Sequence, residues 1–142
     1  IETLRAVRNL PALIVRAAGK QTLGVMIARG DLAVEIGYER LAEMQEQMLW
    51  VCEAAHIPVI WATQVLENFV SKGTPSRAEM TDAAMAERAE CVMLNKGPYV
   101  TEAVTILDHV LTRMQDNQVK KTPQLRALHM WQQERGTQHE KV

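Results

Sequence analysis

The sequence predicts an α/β protein built around a parallel sheet, and three observations lead to this prediction. Short, uniformly apolar runs recur at residues 25–28, 58–62 and 91–94, each bounded by turn-forming residues. Such runs are typical of strands that are buried on both faces, as in parallel sheets. Amphipathic helical patterns separate the runs. Only 4% of the 142 residues are aromatic, so aliphatic side chains and methionine have to fill the core.

The first two elements are a strand end and a helix. The chain opens on Ile1-Glu2, which we interpret as the finish of a further strand. Residues 4–18 carry apolar side chains at helical spacing and therefore predict a helix. Pro11 falls within this pattern, and its missing N–H predicts either a kink or a late start of the helix.

The strand at residues 25–28 is followed by the polar tripeptide Arg29-Gly30-Asp31. A short turn is expected after Asp31, and a longer helix follows over residues 38–55. On that helix, methionine and aliphatic side chains line one face while glutamate and arginine take the other. The sequence thus predicts an arginine and a carboxylate at the tip of a buried strand.

The rest of the chain continues the alternation of strands and helices. We predict a strand at 58–62, helices from Thr63 to Val70 and from Arg77 to Ala89, a strand at 91–94, and a helix over 100–116. Residues 1–117 are assigned to this strand-and-helix domain. Residues 118–142 are assigned to a carboxyl-terminal tail, in which residues 125–131 suggest a short docking helix before a disordered end.

The spacing of the strand ends limits the number of architectures that fit the sequence. The predicted strands end near Glu2, Ala28, Ala62 and Leu94, which gives a repeat of 26 to 34 residues. That repeat suits a (β/α)8 barrel, in which about 250 residues divide among eight units. A doubly wound sheet is the competing architecture, but no Gly-x-Gly-x-x-Gly follows any strand. We therefore predict the parallel-stranded half of a (β/α)8 TIM barrel.

Polar residues follow each predicted strand, and in parallel α/β folds such positions share one rim. Glu2 and Asp31 could together hold a hard divalent cation such as Mg²⁺. Gly30 permits a close backbone approach, and N–H groups at the turn could bind an anion. Arg29 could clamp a phosphate or form a subunit salt bridge, and Thr63 supplies a hydroxyl. Each of these residues could equally cap a helix and remain solvated.

Charge and composition exclude several classes of function. The formal net charge is −1, so no polybasic surface points to nucleic acid or to an anionic membrane. No run of about 18 apolar residues predicts a membrane span, and no signal peptide is recognised, so a cytoplasmic location is expected. Cys52 and Cys91 both lie in apolar stretches and are expected to be buried free thiols.

Four sequence blocks, taken together, resemble pyruvate kinases. The blocks are "VMIARGDLAVEI", "PVIWATQVLENF", "TPSRAEMTDAAMA" and "AECVML". In order and spacing they are similar to the family's segments around barrel strands six, seven and eight. The opening Ile1-Glu2 is similar to the end of the family's strand five. The resemblance covers about residues 1–111, and four blocks in the right order make it specific.

The resemblance implies phosphoryl transfer between phosphoenolpyruvate and ADP. It implies that Glu2 and Asp31 hold Mg²⁺ or Mn²⁺, while the family's K⁺ site is not in this chain. Ala28, Gly30 and Asp31 would bind the substrate, with the backbone of the last two receiving its carboxylate. Thr63 would also contact the substrate as part of the proton relay. Catalytic roles are assigned to Thr63 and, at the margin of the site, to Arg29.

The chain also departs from the family pattern. The family's Met-Leu-Ser-Gly-Glu-Thr and the loop after it are replaced by a shortened loop, Asn95 to Tyr99, on the nucleotide side. Trp61 replaces a smaller residue. The family's strands one to four and its lid domain have no counterpart here. A half-barrel would expose its apolar inner face, so we expect a homo-oligomer or self-association through that face, and no activity from the isolated chain.

Three functional hypotheses follow from these residues. The chain is part of a phosphoenolpyruvate-dependent phosphotransferase, or of a related protein whose altered loop serves another phosphorylated or enolate substrate, or it is a non-catalytic remnant. The 95–99 loop distinguishes the first two, and the Glu2/Asp31 pair argues against the third. Arg29-Gly30-Asp31 also spells the tripeptide of cell adhesion, but its position directly after a buried strand disfavours that role.

Overall fold

The computed structural model describes residues 1–118. The docking helix expected at residues 125–131 lies outside the described residues, and the division of the chain at residue 117 stays a prediction. Within residues 1–118, no helix is both long enough and apolar enough to cross a membrane.

A three-stranded parallel sheet forms the centre of the described part of the chain. Its strands are β1 (Val25–Ala28), β2 (Val59–Val65) and β3 (Cys91–Leu94). The helices are α1 (Leu4–Ala18), α2 (Arg29–Ile36), α3 (Tyr38–Ala54), α4 (Glu67–Lys72), α5 (Arg77–Met85) and α6 (Val100–Gln118), with a 3-10 turn at Ala86–Arg88. The predicted α/β class is confirmed.

The order of the strands identifies the architecture. The strands lie side by side in chain order, β1-β2-β3, with Val25 opposite Val59 and Ile60 opposite Cys91. Ile1 continues the series on the free side of β1, because its carbonyl accepts a hydrogen bond from Ala28 N at 3.0 Å. A doubly wound sheet would reverse direction at its switch point. The three described strands keep sequential order without such a reversal, which agrees with the predicted half-barrel.

The two faces of the sheet differ in burial. Side chains of α1 and α3 pack with one face into a single apolar cluster, with Ile27 and Trp61 fully buried at its centre. The opposite face carries Met26, Ile60 and Cys91 in one row across the three strands. We call this row the open face, because Met26 is 38% exposed and Cys91 is also exposed.

Of the two cysteines expected to be buried, only one is. Cys52 is fully buried between α3 and the sheet, whereas Cys91 is exposed. The prediction for Cys91 was wrong because an apolar strand implies a covered face, and the described residues supply nothing to cover the open face of this sheet.

Helix α1 begins at Leu4, so the late start considered at Pro11 is not observed. Thr3 caps the helix, and its side chain accepts a hydrogen bond from Ala6 N at 3.1 Å. Proline cannot donate to the helical ladder, so it removes one hydrogen bond there. The buried side chains Val7, Leu10 and Ile14 lie on both sides of Pro11 and hold the helix on the sheet.

Two boundaries near the strand tips also differ from the sequence prediction. Residues 29–36 form helix α2 directly after β1, where a short turn was expected. Strand β2 extends to Val65, so α4 begins at Glu67 and not at Thr63. Gln64 and Leu66 have positive φ angles of 60° and 53°, and such left-handed conformations exclude a helix that starts earlier.

Candidate active site

A cleft of about 470 Å³ opens where β1 and β2 end. It is lined by Arg29, Gly30, Asp31, Ala33, Val34, Tyr38, Leu41, Thr63, Gln64 and Asp82. We call it the β1–β2 cleft. Four residues that the sequence singled out for a site, Arg29, Gly30, Asp31 and Thr63, therefore meet in one cavity.

The amino-terminal end of α2 forms one wall of this cleft. The helix starts at Arg29, and Ala28 precedes it as an N-cap without a capping side chain. An α-helix leaves its first N–H groups without intrahelical partners, and its dipole favours negative charge at this end. Asp31 lies in this first turn. The arrangement suits an anion bound by the backbone and a carboxylate beside it.

Gly30 brings the two strand tips close together. A Cβ atom placed on Gly30 would lie 3.0 Å from Thr63 Oγ1 and 3.4 Å from Gln64 Oε1. Both contacts are tighter than ordinary van der Waals contact. The absence of a side chain at residue 30 therefore lets the Thr63 hydroxyl and the Gln64 amide reach the start of α2.

Arg29 is buried and bonded within the chain. Its Nε donates to Ala62 O at 3.0 Å, and its Nη2 donates to Thr63 O at 2.9 Å. Both terminal nitrogens pair with the carboxylate of Asp82, with Nη2 at 2.8 Å from Oδ2. The guanidinium also lies over the Trp61 ring, 4.6 Å from its centroid. The salt bridge considered for Arg29 thus has its partner in the same chain.

Sequence reasoning missed Asp82 altogether. The residue lies in the block "TPSRAEMTDAAMA", which resembles the family as a whole but does not mark Asp82 as a site residue. Asp82 and Arg29 are 53 residues apart in the sequence, so no local pattern indicates that they pair. The only available signal was a carboxylate on a helix that follows the second strand tip.

Glu2 and Asp31 line a second cavity of about 420 Å³, together with Thr3, Val34 and Glu35. Asp31 therefore borders both cavities. Neither Glu2 nor Asp31 takes part in a salt bridge with any of residues 1–118. No three acidic, histidine or cysteine side chains in that range are grouped as metal ligands. Two carboxylates fit Mg²⁺ or Mn²⁺ where water and substrate oxygens complete the shell.

The loop from Asn95 to Tyr99 packs onto α4. Asn95 Nδ2 donates to Glu67 Oε2 at 2.6 Å, and Tyr99 N donates to Val70 O at 3.2 Å. A Cβ atom on Gly97 would lie 2.5 Å from Val70 O, so only glycine fits this contact. These contacts hold the loop against α4, next to the end of β3. The side chain of Lys96 in this loop is exposed.

Comparisons with known proteins agree on one family. The family model described as "Pyruvate kinase, barrel domain" matches residues 1–104. Plastidial pyruvate kinase 3 of Arabidopsis thaliana is 36% identical over 119 residues, which cover 80% of this chain and 20% of that protein. The pyruvate kinase PKLR of Rattus norvegicus is 42% identical over 96 residues, which cover 63% of this chain and 17% of that protein.

The three-dimensional structure of the chain is also similar to that of a solved pyruvate kinase. The crystal structure of a pyruvate kinase from Cryptosporidium parvum superposes with a TM-score of 0.71 at 36% identity, over 80% of this chain and 23% of that one. The chain spans about a fifth of the length of the curated relatives cited here.

Proposed function

The chain belongs to the pyruvate kinase family, and we propose that it forms half the barrel of a phosphotransferase acting between phosphoenolpyruvate and ADP. The observation that carries the proposal is the convergence at the strand tips. Gly30, Asp31 and Thr63 share the β1–β2 cleft, and Asp31 shares the neighbouring cavity with Glu2. We further propose that these residues act within a longer chain, because the relatives are about four times as long.

Glu2 and Asp31 are the residues that would hold a divalent cation. Bound there, Mg²⁺ or Mn²⁺ would supply stabilisation for negative charge on phosphate and enolate oxygens. Both carboxylates face one cavity and lack salt-bridge partners in residues 1–118, which supports this assignment. Two carboxylates leave coordination positions for substrate oxygens, as Mg²⁺ usually requires.

The start of α2 would bind the carboxylate of phosphoenolpyruvate. Backbone N–H groups at Gly30 and Asp31, after the uncapped Ala28, offer donors at the positive end of a helix dipole. The Thr63 hydroxyl lies close to Gly30, and therefore close to these donors. This position supports a role beside the enolate carbon in proton transfer.

A second candidate function is favoured by the 95–99 loop. Hydrogen bonds from Asn95 to Glu67 and from Tyr99 to Val70 fix this loop on α4. The relatives' longer loop lies on the nucleotide side of the site. A loop shortened and fixed in this way would give that side a different shape. A related protein with the same metal pair could therefore use another phosphorylated or enolate substrate.

An assay with several phosphoryl donors and acceptors tests both candidates. The full-length gene product is incubated with Mg²⁺ or Mn²⁺ and phosphoenolpyruvate, with ADP as acceptor, and pyruvate and ATP are measured. We expect both products in equal amounts, and none without the divalent cation. Turnover only with a different phosphorylated substrate would favour the second candidate. No turnover with any donor would support a non-catalytic protein.

A further inference from the structure

We propose that Asp82 is a positioning residue of this site, which acts on Thr63 through Arg29 without touching the substrate. The inference rests on the proposed function, since the Thr63 hydroxyl has a chemical role only there. Three elements take part: α5 carries Asp82, the start of α2 carries Arg29, and the end of β2 carries Thr63.

The first step is the pairing of Asp82 with Arg29. Both carboxylate oxygens meet the two terminal nitrogens of the guanidinium, so the pair is bidentate. A planar, two-bond pair fixes orientation as well as distance, which a single contact with lysine would not do. Arg29 is only 8% exposed, so its charge depends on this carboxylate for compensation.

The second step leads from Arg29 to the backbone at Thr63. The remaining donors of the guanidinium bind two successive carbonyls, Ala62 O at 3.0 Å and Thr63 O at 2.9 Å. The Trp61 ring adds a contact to the guanidinium plane, which is favourable for a cation over an indole. Arg29 is therefore held by two side chains and in turn holds the peptide groups on both sides of the Thr63 Cα.

The third step concerns the hydroxyl itself. Thr63 Oγ1 lies 3.0 Å from the position that a Cβ atom on Gly30 would occupy, so the hydroxyl faces the start of α2 beside Gly30. Loss of Asp82 would leave a buried guanidinium without its counter-charge, and the arginine would turn toward water. Its bonds to Ala62 O and Thr63 O would then break. Misplacement of a reacting group by about 1 Å is enough to reduce turnover about 100-fold.

The first arm of the test measures the position of Thr63 directly. The γ-methyl groups of threonine are labelled in the full-length gene product, and the Thr63 and Thr105 signals are compared by NMR in Asp82→Asn and in the control Asp108→Asn. Asp108 is an exposed carboxylate on α6, so the control makes the same chemical change outside the site. We expect Thr63 to shift and lose order only in Asp82→Asn, while Thr105, which is a neighbour of Asp108 on α6, stays unchanged in Asp82→Asn.

The second arm measures the consequence for turnover. In Asp82→Asn we expect kcat to fall about 10- to 100-fold, with the KM for phosphoenolpyruvate changed less than about threefold, because the substrate contacts remain. In a Thr63→Val background, Asp82→Asn is expected to cause no further fall in kcat. A residue with only a structural role would lower activity equally in both backgrounds.

The outcomes separate this proposal from the proposed function. An unshifted Thr63 signal in Asp82→Asn, or an equal loss of kcat in the Thr63→Val background, would overturn the positioning role. If the wild-type protein has no phosphotransferase activity, the proposed function fails, and the NMR arm alone decides whether Asp82 positions Thr63. If Asp82→Asn does not fold, Asp82→Glu serves instead, because it keeps the charge and displaces the carboxylate; an unshifted Thr63 signal in it would also overturn the proposal.

Discussion

Asp31 is the residue at which the two cavities of the site meet. It follows a buried strand by three positions, lies in the first turn of α2 and borders both cavities. A negative charge there is favoured by the dipole of helix α2. Gly30 beside it owes its identity to the close approach of Thr63. The aspartate therefore suits this position because of its charge, and the neighbouring glycine because of its small size.

The two cysteines are expected to differ in reactivity. Burial raises the pKa of the Cys52 thiol to about 11, so at pH 8 it is almost entirely protonated as well as inaccessible. Cys91 is exposed on the open face. With limiting iodoacetamide at pH 8, peptide mass spectrometry is expected to find Cys91 modified at least about tenfold faster than Cys52. Equal rates, or faster modification of Cys52, would contradict the burial described for the core.

The side chains at the site were more predictable than their contacts. Glu2, Gly30, Asp31 and Thr63 could be selected from sequence because strand tips in parallel folds are read directly from apolar runs. The partner of Arg29 could not, because Asp82 lies 53 residues away and no periodic pattern links the two. The backbone angles at Gln64 were equally hidden, since a left-handed conformation at glutamine has no sequence signature.

The loop from Asn95 to Tyr99, which the sequence predicts to differ from the family pattern, is well packed. Glu67 of α4 accepts a hydrogen bond from its first residue, and Val70 accepts one from its last. Phe69 and Tyr99 add a tilted ring contact with centroids 6.5 Å apart. The shortened loop is thus integrated with α4, and this integration depends on a glycine in the middle.

Substitution of that glycine tests the packing of the loop. Gly97→Ala would place a Cβ atom 2.5 Å from Val70 O, so the backbone has to move. We expect the free energy of unfolding, measured by urea denaturation, to fall by about 1–3 kcal/mol. Gly19→Ala is the matched control, because a Cβ there meets nothing within 4 Å, and its effect should stay within about 0.5 kcal/mol. Equal effects of the two substitutions would contradict the close contact.

The long helices and the strands β1 and β3 were predictable, whereas helix α2 and the boundary between β2 and α4 were not. Helix α3 runs over Tyr38–Ala54, against a prediction of 38–55, because a long periodic pattern determines it. Helix α2 stands where the sequence predicts a turn, since its eight residues carry no strong periodicity. The extension of β2 to Val65 depends on its pairing with β3, in which Val65 lies opposite Leu94. Short elements near the site are therefore set by packing more than by their own sequence.

The molecule as a whole has one apolar surface that the described residues do not cover. Met26, Ile60 and Cys91 form the open face, and in a barrel such a face lines the filled interior. We propose that the rest of a barrel covers it in a longer chain, and that a second copy covers it when the 142-residue chain is isolated. A parallel sheet with one face exposed to water is less stable and less soluble than one that is covered on both faces.

Self-association of the isolated chain is therefore expected. Light scattering after size-exclusion chromatography should give a mass of a dimer or larger for the wild type. Met26→Glu introduces a charge on the open face and is expected to shift the mass toward a monomer. Val104→Glu, on the exposed side of α6, is the control and should leave the mass unchanged. A monomeric wild type, or an equal response to both substitutions, would count against association through this face.

We propose that Glu2 and Asp31 together bind the divalent cation of the site, and a measurement of Mn²⁺ binding tests this assignment. Electron paramagnetic resonance counts free and bound Mn²⁺ in the full-length gene product and in its Glu2→Gln, Asp31→Asn and Asp108→Asn variants. We predict one tight site in the wild type and in Asp108→Asn, and binding weakened at least about tenfold in each of the other two variants. Undiminished Mn²⁺ affinity in either Glu2→Gln or Asp31→Asn would contradict the claim.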